Sequence, residues 1–222
     1  MHRHLNPILA AILLPGFLLS CTPTSQGLPP PVANQVPAGE QASSVPPPFP
    51  ITFEPMPMSS SPALLSEARA LTQRFVGTLL PTLQQAMEQG GPLNAIEVCA
   101  VEAPAIAQRL SEESGWQVTR VSLKARNPST ATPDFWETQI LNMFDQRQRA
   151  GESGAELNVG EVMNGQFRYM QAQPTAPLCL TCHGSEVAGE VLSAIRRHYR
   201  NDLAIGYQLG EIRGAISLQK EM

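Results

Sequence analysis

Two cysteines and a histidine fall within five consecutive residues, "CLTCH", Cys179 to His183, in a chain of 222 residues that holds four cysteines in all. C-x-x-C-H is the attachment signature of c-type haem, and its spacing follows from the chemistry. One helical turn presents both sulfurs to a single macrocycle edge, where they add across the vinyl groups as thioethers. The adjacent imidazole then reaches the iron as an axial ligand. A structural zinc ion would ask for two further ligands at suitable spacing. No second C-x-x-C exists, and adjacent Cys182 and His183 are awkward partners in one tetrahedron. A thiol redox pair would leave His183 without a role, and the early strand–motif–helix order of thioredoxin-like domains is missing. The motif therefore predicts one covalent haem c, with Cys179 and Cys182 as its thioether positions and His183 on the iron.

The amino terminus reads as an export signal over residues 1–20. His2, Arg3 and His4 give a short basic start, and "PILAAILLPGFLLS" is an apolar run too short and too early for an ordinary spanning helix. Small Ser20 directly precedes Cys21, an arrangement like a bacterial lipobox in which Cys21 is acylated and begins the mature chain. Residues 21–62 are crowded with Pro, Ser and Gly and carry Glu40 and Glu54 as their only charges. Such a stretch cannot bury enough apolar surface to offset chain entropy and is expected to be a disordered tether. About forty residues would reach on the order of 100 Å if polyproline-like. The expected location is the periplasmic face of a bacterial membrane, held by lipid. The balance of 15 Lys and Arg against 19 Asp and Glu gives no electrostatic reason to expect nucleic acid.

One folded domain, residues 63–222, remains. Apolar residues recur at helical spacing from Leu64 to Leu83, with a kink expected at Pro81 and a stop at Gly90-Gly91. A second helix runs from Pro92 to Gly115, with a kink or break at Pro104. "WQVTRVSLKAR" alternates as a strand, placing Val118, Arg120 and Ser122 on one face. "NPSTATP" is a turn, and a helix capped by Asp134 ends at Gly151. Two strands meet at Asn164-Gly165, the dipeptide of a tight hairpin. A short helix over 186–199 and a final strand over 210–220 complete an α+β pattern.

The residues leave the second axial position open. With His2 and His4 in the signal, the candidates are His198, Cys99, a methionine (Met143, Met163 or Met170), a lysine, or no ligand. Ligand identity sets potential and reactivity. Cys99 lies on the inward stripe of its helix, between Ile96 and Ala103, where a cysteine is ordinarily a small core residue. Lys124 and Arg126 are candidates to face the haem propionates or a small anion. Trp136 and Glu137 read as core and helix surface.

Four segments, "AIEVCAVEAP", "VSLKARNPSTATPDFWE", "CLTCHG" and "NDLAIGYQLGEIRGAIS", resemble a bacterial family of exported proteins whose PAS-like domain carries one c-type haem. The last is the most specific, with Asp202, Ala204, Gly206-Tyr207, Gly210 and Arg213-Gly214. Tyr199-Arg200 and Gly210-Glu211 stand where that family usually has Tyr-Pro and Gly-Asp. The resemblance implies a PAS-like antiparallel sheet flanked by helices, and a haem iron held by His183 on one side and Cys99 on the other. A thiolate ligand implies a low midpoint potential. Two roles follow: redox or small-ligand sensing, with the output passed to an unidentified redox or signalling partner protein, or low-potential electron transfer. Neither requires catalysis. Outside haem chemistry the alternative is a thiol or structural lipoprotein.

Overall fold

The computed structural model describes residues 61–222. The expected signal, Cys21 and nearly all of the expected tether lie outside the described residues. The described part is an α+β domain, an antiparallel four-stranded sheet flanked by helices, in the order β1 (Gln117–Val121), β4 (Ile212–Glu221), β3 (Gln166–Pro174), β2 (Asn158–Met163).

Helix α1, Pro62–Glu97, opens with Pro62 at its first position, where a missing N–H costs nothing. Within it the backbone leaves helical dihedrals at Gly91 (φ 67°, ψ −161°), so the expected stop is present as a break between two helical runs. Pro81 keeps helical dihedrals. The break expected at Pro104 takes another form. A π-helical turn, Val98–Glu102, precedes α2 (Ala103–Ser114), and the N–H of Ala103 bonds the carbonyl of Val98. Pro104 has no N–H to offer the carbonyl of Ala100, and a wider turn just upstream relieves that mismatch. Gly115, left-handed at φ 72°, ends α2.

Strand β1 covers Gln117–Val121, shorter than the sequence pattern. The chain leaves the sheet at Ser122, whose N–H bonds Ala131 O at 3.0 Å while its hydroxyl donates to Arg213 O at 2.7 Å. The expected turn contains a short helix, α3 (Pro128–Ala131). Helix α4, Phe135–Arg149, begins with a reciprocal capping box between Asp134 and Glu137. Strands β2 (Asn158–Met163) and β3 (Gln166–Pro174) form the expected hairpin, with positive φ at Asn164 and Gly165. Helix α5, Leu180–His183, carries most of the C-x-x-C-H motif, and α6, Gly189–His198, follows it. Strand β4, Ile212–Glu221, lies between β1 and β3.

The sheet separates two cores. On one face Ala68, Leu71 and Phe75 of α1 and Ile106 and Leu110 of α2 pack on Val118, Phe167, Tyr169, Ile216 and Leu218. Trp116 meets Phe167 edge-on at 5.9 Å between ring centroids. On the other face Trp136, Leu141 and Phe144 of α4 pack on Val121, Met170, Ala172 and Ala215. Each fully buried large side chain contributes about 1.5–3 kcal/mol, so both faces hold the sheet rigid beneath the loops at its edge. Glu137 corrects the surface assignment: it is buried, accepts a 2.6 Å bond from Ser217 Oγ, and lies 3.3 Å from the Arg168 guanidinium.

Candidate functional site

After β3 the chain turns through a 3₁₀ segment, Pro177–Cys179, directly into α5. Gly184 then returns the chain past its own helix, since a β-carbon there would stand 2.6 Å from Leu180 O. Beside it runs the loop of residues 202–207, tied by Gly206 N to Gly184 O and Tyr207 N to His183 O, both at 2.9 Å.

His183 is fixed by this loop. Its Nδ1 lies 2.7 Å from Ala204 O and 3.1 Å from Arg126 Nη2. The shorter contact is to a carbonyl, which only accepts, and both Nη2 hydrogens go to Cys182 O and Ala204 O, so Nδ1 bears the proton and Nε2 keeps its lone pair. Burial first, then Arg213 and Arg126, push its pKa down to about 2 against the opposing Ala204 bond. A neutral imidazole with a bare Nε2 is the form that ligates a metal.

His183 and Cys99 line the same cavity, of about 400 Å³, within the range of small-molecule sites. Cys99 reaches it from the π turn, a feature that concentrates at functional positions. Cys179 and Cys182 are half-buried free thiols outside the cavity lining; Cys182 packs against Ile96, Val191 and Ile195. Burial pushes the Cys182 thiol up, Arg126 opposes this, and the neighbouring Cys99 and Cys179 reinforce it.

Three arginines face the cavity: Arg120, Arg126 and Arg213. Arg126 is engaged by the protein through Nη2 and an ion pair. Its Nη2 donates to Cys182 O at 2.5 Å and to Ala204 O at 3.0 Å, and lies 3.1 Å from His183 Nδ1. Its Nε forms an ion pair with Asp202 at 3.3 Å. Arg120 and Arg213 differ in that, among the described residues, neither side chain has an ion-pair partner; the buried Nε without a hydrogen bond is common to all three. Burial, then Arg213, pull the Arg120 pKa down to about 10. Two such guanidinium groups in one cavity suit a ligand with two carboxylates.

The other candidates stand elsewhere. His198 Nε2 contacts Glu97 Oε1 at 3.0 Å. Met170 is buried in the core under α4, where Met143 and Met163 pack against it, and none of the three lines the cavity. Lys124 lines the cavity rim, but its Nζ donates to Ile205 O at 2.8 Å and sits 4.0 Å from the centre of the Tyr207 ring. Among the described residues no three His, Cys, Asp or Glu side chains cluster as a metal ion would require, so Cys179, Cys182 and His183 do not converge on a zinc-like point. Sequence reasoning missed Arg120, Arg213 and Asp202 as site residues. The signal for Arg120 was its strand face, which it shares with buried Val118.

An α+β domain with a short thiol-and-imidazole turn beside an arginine-rich cavity defines the class of protein. A family model described as Tll0287-like matches residues 42–220, so the chain belongs to the Tll0287-like family. A solved structure, that of the cyanobacterial heme-protein Tll0287, matches with a TM-score of 0.59 at 22% identity, covering 73% of this chain and 98% of that one. That likeness establishes a shared fold. No curated protein matches the chain.

Proposed function

We propose that the domain binds one covalent haem c through Cys179 and Cys182, with His183 and Cys99 as axial ligands, and acts in redox or small-ligand sensing. The observation that carries this reading is the cavity shared by His183, with its bare Nε2, and the Cys99 thiol. Membership of the Tll0287-like family, together with the likeness to the cyanobacterial heme-protein Tll0287, supports haem as the group. When bound, the haem supplies a one-electron couple and, where an axial ligand leaves, a site for a small molecule.

The chain's own residues have three tasks in this reading. Ala204 O fixes the tautomer and ring plane of His183. Arg120 and Arg213, without ion-pair partners among the described residues, hold the propionates. The π turn brings in Cys99, a soft donor whose thiolate form lowers the potential. Acylated Cys21 and the Pro-rich stretch hold the domain to the periplasmic face of a bacterial membrane, within reach of a separate redox or signalling partner. Catalysis is not part of the proposal.

The test uses the full chain, expressed with c-type haem maturation, beside Cys99→Ala. A haem stain that survives a denaturing gel, with a low-spin thiolate signature lost in the variant, is the expected result. A wild type without stain would overturn haem attachment. A stained wild type whose ferric and reduced spectra match those of Cys99→Ala would remove Cys99 as a ligand and leave a His-ligated electron carrier.

A further inference from the structure

Arg126 stands in the cavity wall, where a guanidinium is expected to hold an anionic ligand, yet its Nη2 donates to the protein and its Nε faces a carboxylate. It reaches two separate chain segments at once, the C-x-x-C-H turn and the loop of residues 202–207. Nη2 bonds the carbonyl of Cys182, inside the C-x-x-C-H motif, at 2.5 Å and the carbonyl of Ala204 at 3.0 Å. Nε faces Asp202 at 3.3 Å, and the same Asp202 oxygen accepts the Ala204 N–H at 2.9 Å. Both partners of this ion pair are largely buried, with side chains 14% and 8% exposed. Ala125 O, next to Arg126, accepts the N–H of Leu203 at 3.0 Å. The result is a closed circuit from Arg126 through Asp202 and Ala204 to His183.

We propose that Arg126 and Asp202 form a positioning clamp that sets the orientation and donor strength of His183, and that Arg126 is not a ligand-anchoring arginine. The proposal rests on the haem reading above. Ala204 O accepts from both Arg126 and His183 Nδ1, and an oxygen that shares its lone pairs with a cation is a weaker acceptor for the imidazole. A weaker Nδ1–H···O bond leaves Nε2 a weaker donor to a metal. The guanidinium charge, close to the ring, acts in the same direction by disfavouring the oxidised centre. Asp202 opposes that charge and holds the Ala204 backbone in place. The anion-holding role then falls to Arg120 and Arg213, which line the same cavity and have no ion-pair partner among the described residues.

The experiment measures midpoint potential and ferric paramagnetic-resonance spectra of the haem-loaded full chain for wild type, R126Q, R126K and D202N. R126Q loses charge and clamp together, so a shift to lower potential with altered low-spin g-values is expected. R126K keeps the charge without the planar fork. It should hold a potential near wild type while its g-values move toward those of R126Q. D202N keeps an oxygen for the Ala204 N–H and removes the negative charge, and its potential should rise. Opposite signs for R126Q and D202N would not arise from general loosening of the fold, which keeps the test decisive even if R126Q matures poorly. A stained wild type with R126Q or D202N unchanged in both potential and g-values overturns the clamp alone. A wild type without haem stain overturns the haem reading, and the clamp with it.

Discussion

Arg168 and Arg120 both extend from the central sheet into its packed layers, on opposite faces. Arg168, on β3, faces Asp134 at 2.7 Å and Glu137 at 3.3 Å, and its guanidinium carbon lies 4.3 Å from the centre of the Trp136 ring. Arg120, on β1, has no carboxylate within ion-pairing distance among the described residues, and its aromatic neighbour, the Phe75 ring, is 5.9 Å away at its centroid. A buried charge is retained when it is paired, and is costly otherwise. The α4 face of the sheet therefore has its ion pairs in place, although Arg168 Nε, like the Nε of Arg120 and Arg213, is buried without a hydrogen bond. The cavity face, where neither Arg120 nor Arg213 is ion-paired among the described residues, reads as half of an ionic arrangement, open to an anionic ligand.

The strongest way to break this comparison is to spoil the paired side. Glu137→Ala removes the buried partner of Arg168, the acceptor for Ser217 Oγ, and half of the α4 capping box. Leaving the charge with only its exposed partner should cost about 3–5 kcal/mol, read as a drop in the urea midpoint. A loss below about 1 kcal/mol would mean that Arg168 does not depend on its buried partner, and the contrast with Arg120 would lose its basis.

Arg120→Met probes the other side and should differ in sign between two backgrounds. In a C179A/C182A chain, which has no thioether positions, replacing this half-buried charge, which has no ion-pair partner among the described residues, by an apolar side chain of similar length should be neutral or stabilising, by about 1–4 kcal/mol. In the haem-loaded wild-type background the same change deletes a propionate partner and should destabilise, by about 1–3 kcal/mol. Equal costs in both backgrounds would show that Arg120 serves the fold itself, and its role as a waiting cation would fall.

The same contrast explains what could be read from the sequence. Local signals were strong enough to place the hairpin at Asn164-Gly165, the Asp134 cap, the break at Gly91 and the short turn bearing Cys179 to His183, because each depends on residues within a few positions. The site depends on distant ones. Arg126 meets Asp202 across 76 positions of chain, and His183 meets Ala204 across 21, distances over which periodicity carries no information. Glu137 was assigned to a surface because a charged residue in the first turn of a helix is ordinarily solvated, and only β3 and β4 supply the Arg168 and Ser217 that bury it. The π turn at Cys99 was foreshadowed by Pro104, yet whether a proline kinks, breaks or widens a helix is decided by what packs against it.

The smallest effect is also the sharpest for the paired side, because Asp134 does two jobs that substitution can separate. Its Oδ1 accepts the Glu137 N–H at 2.8 Å as the α4 cap, and its Oδ2 faces Arg168 at 2.7 Å with a side chain about half exposed. Asp134→Asn keeps a capping oxygen and removes the charge, and asparagine ranks with aspartate as a cap. An ion pair with one exposed partner is screened, so this change should cost no more than about 0.5–1 kcal/mol. Asp134→Ala loses the cap as well and should cost about 1 kcal/mol more. The difference between the two variants therefore measures the cap, and Asp134→Asn alone measures how much of Arg168's pairing comes from the rim. If Asp134→Asn costs as much as Glu137→Ala, the exposed carboxylate is the dominant partner. A buried arginine in this fold could then be satisfied from solvent's edge, and Arg120 would need a reason other than burial to be without one.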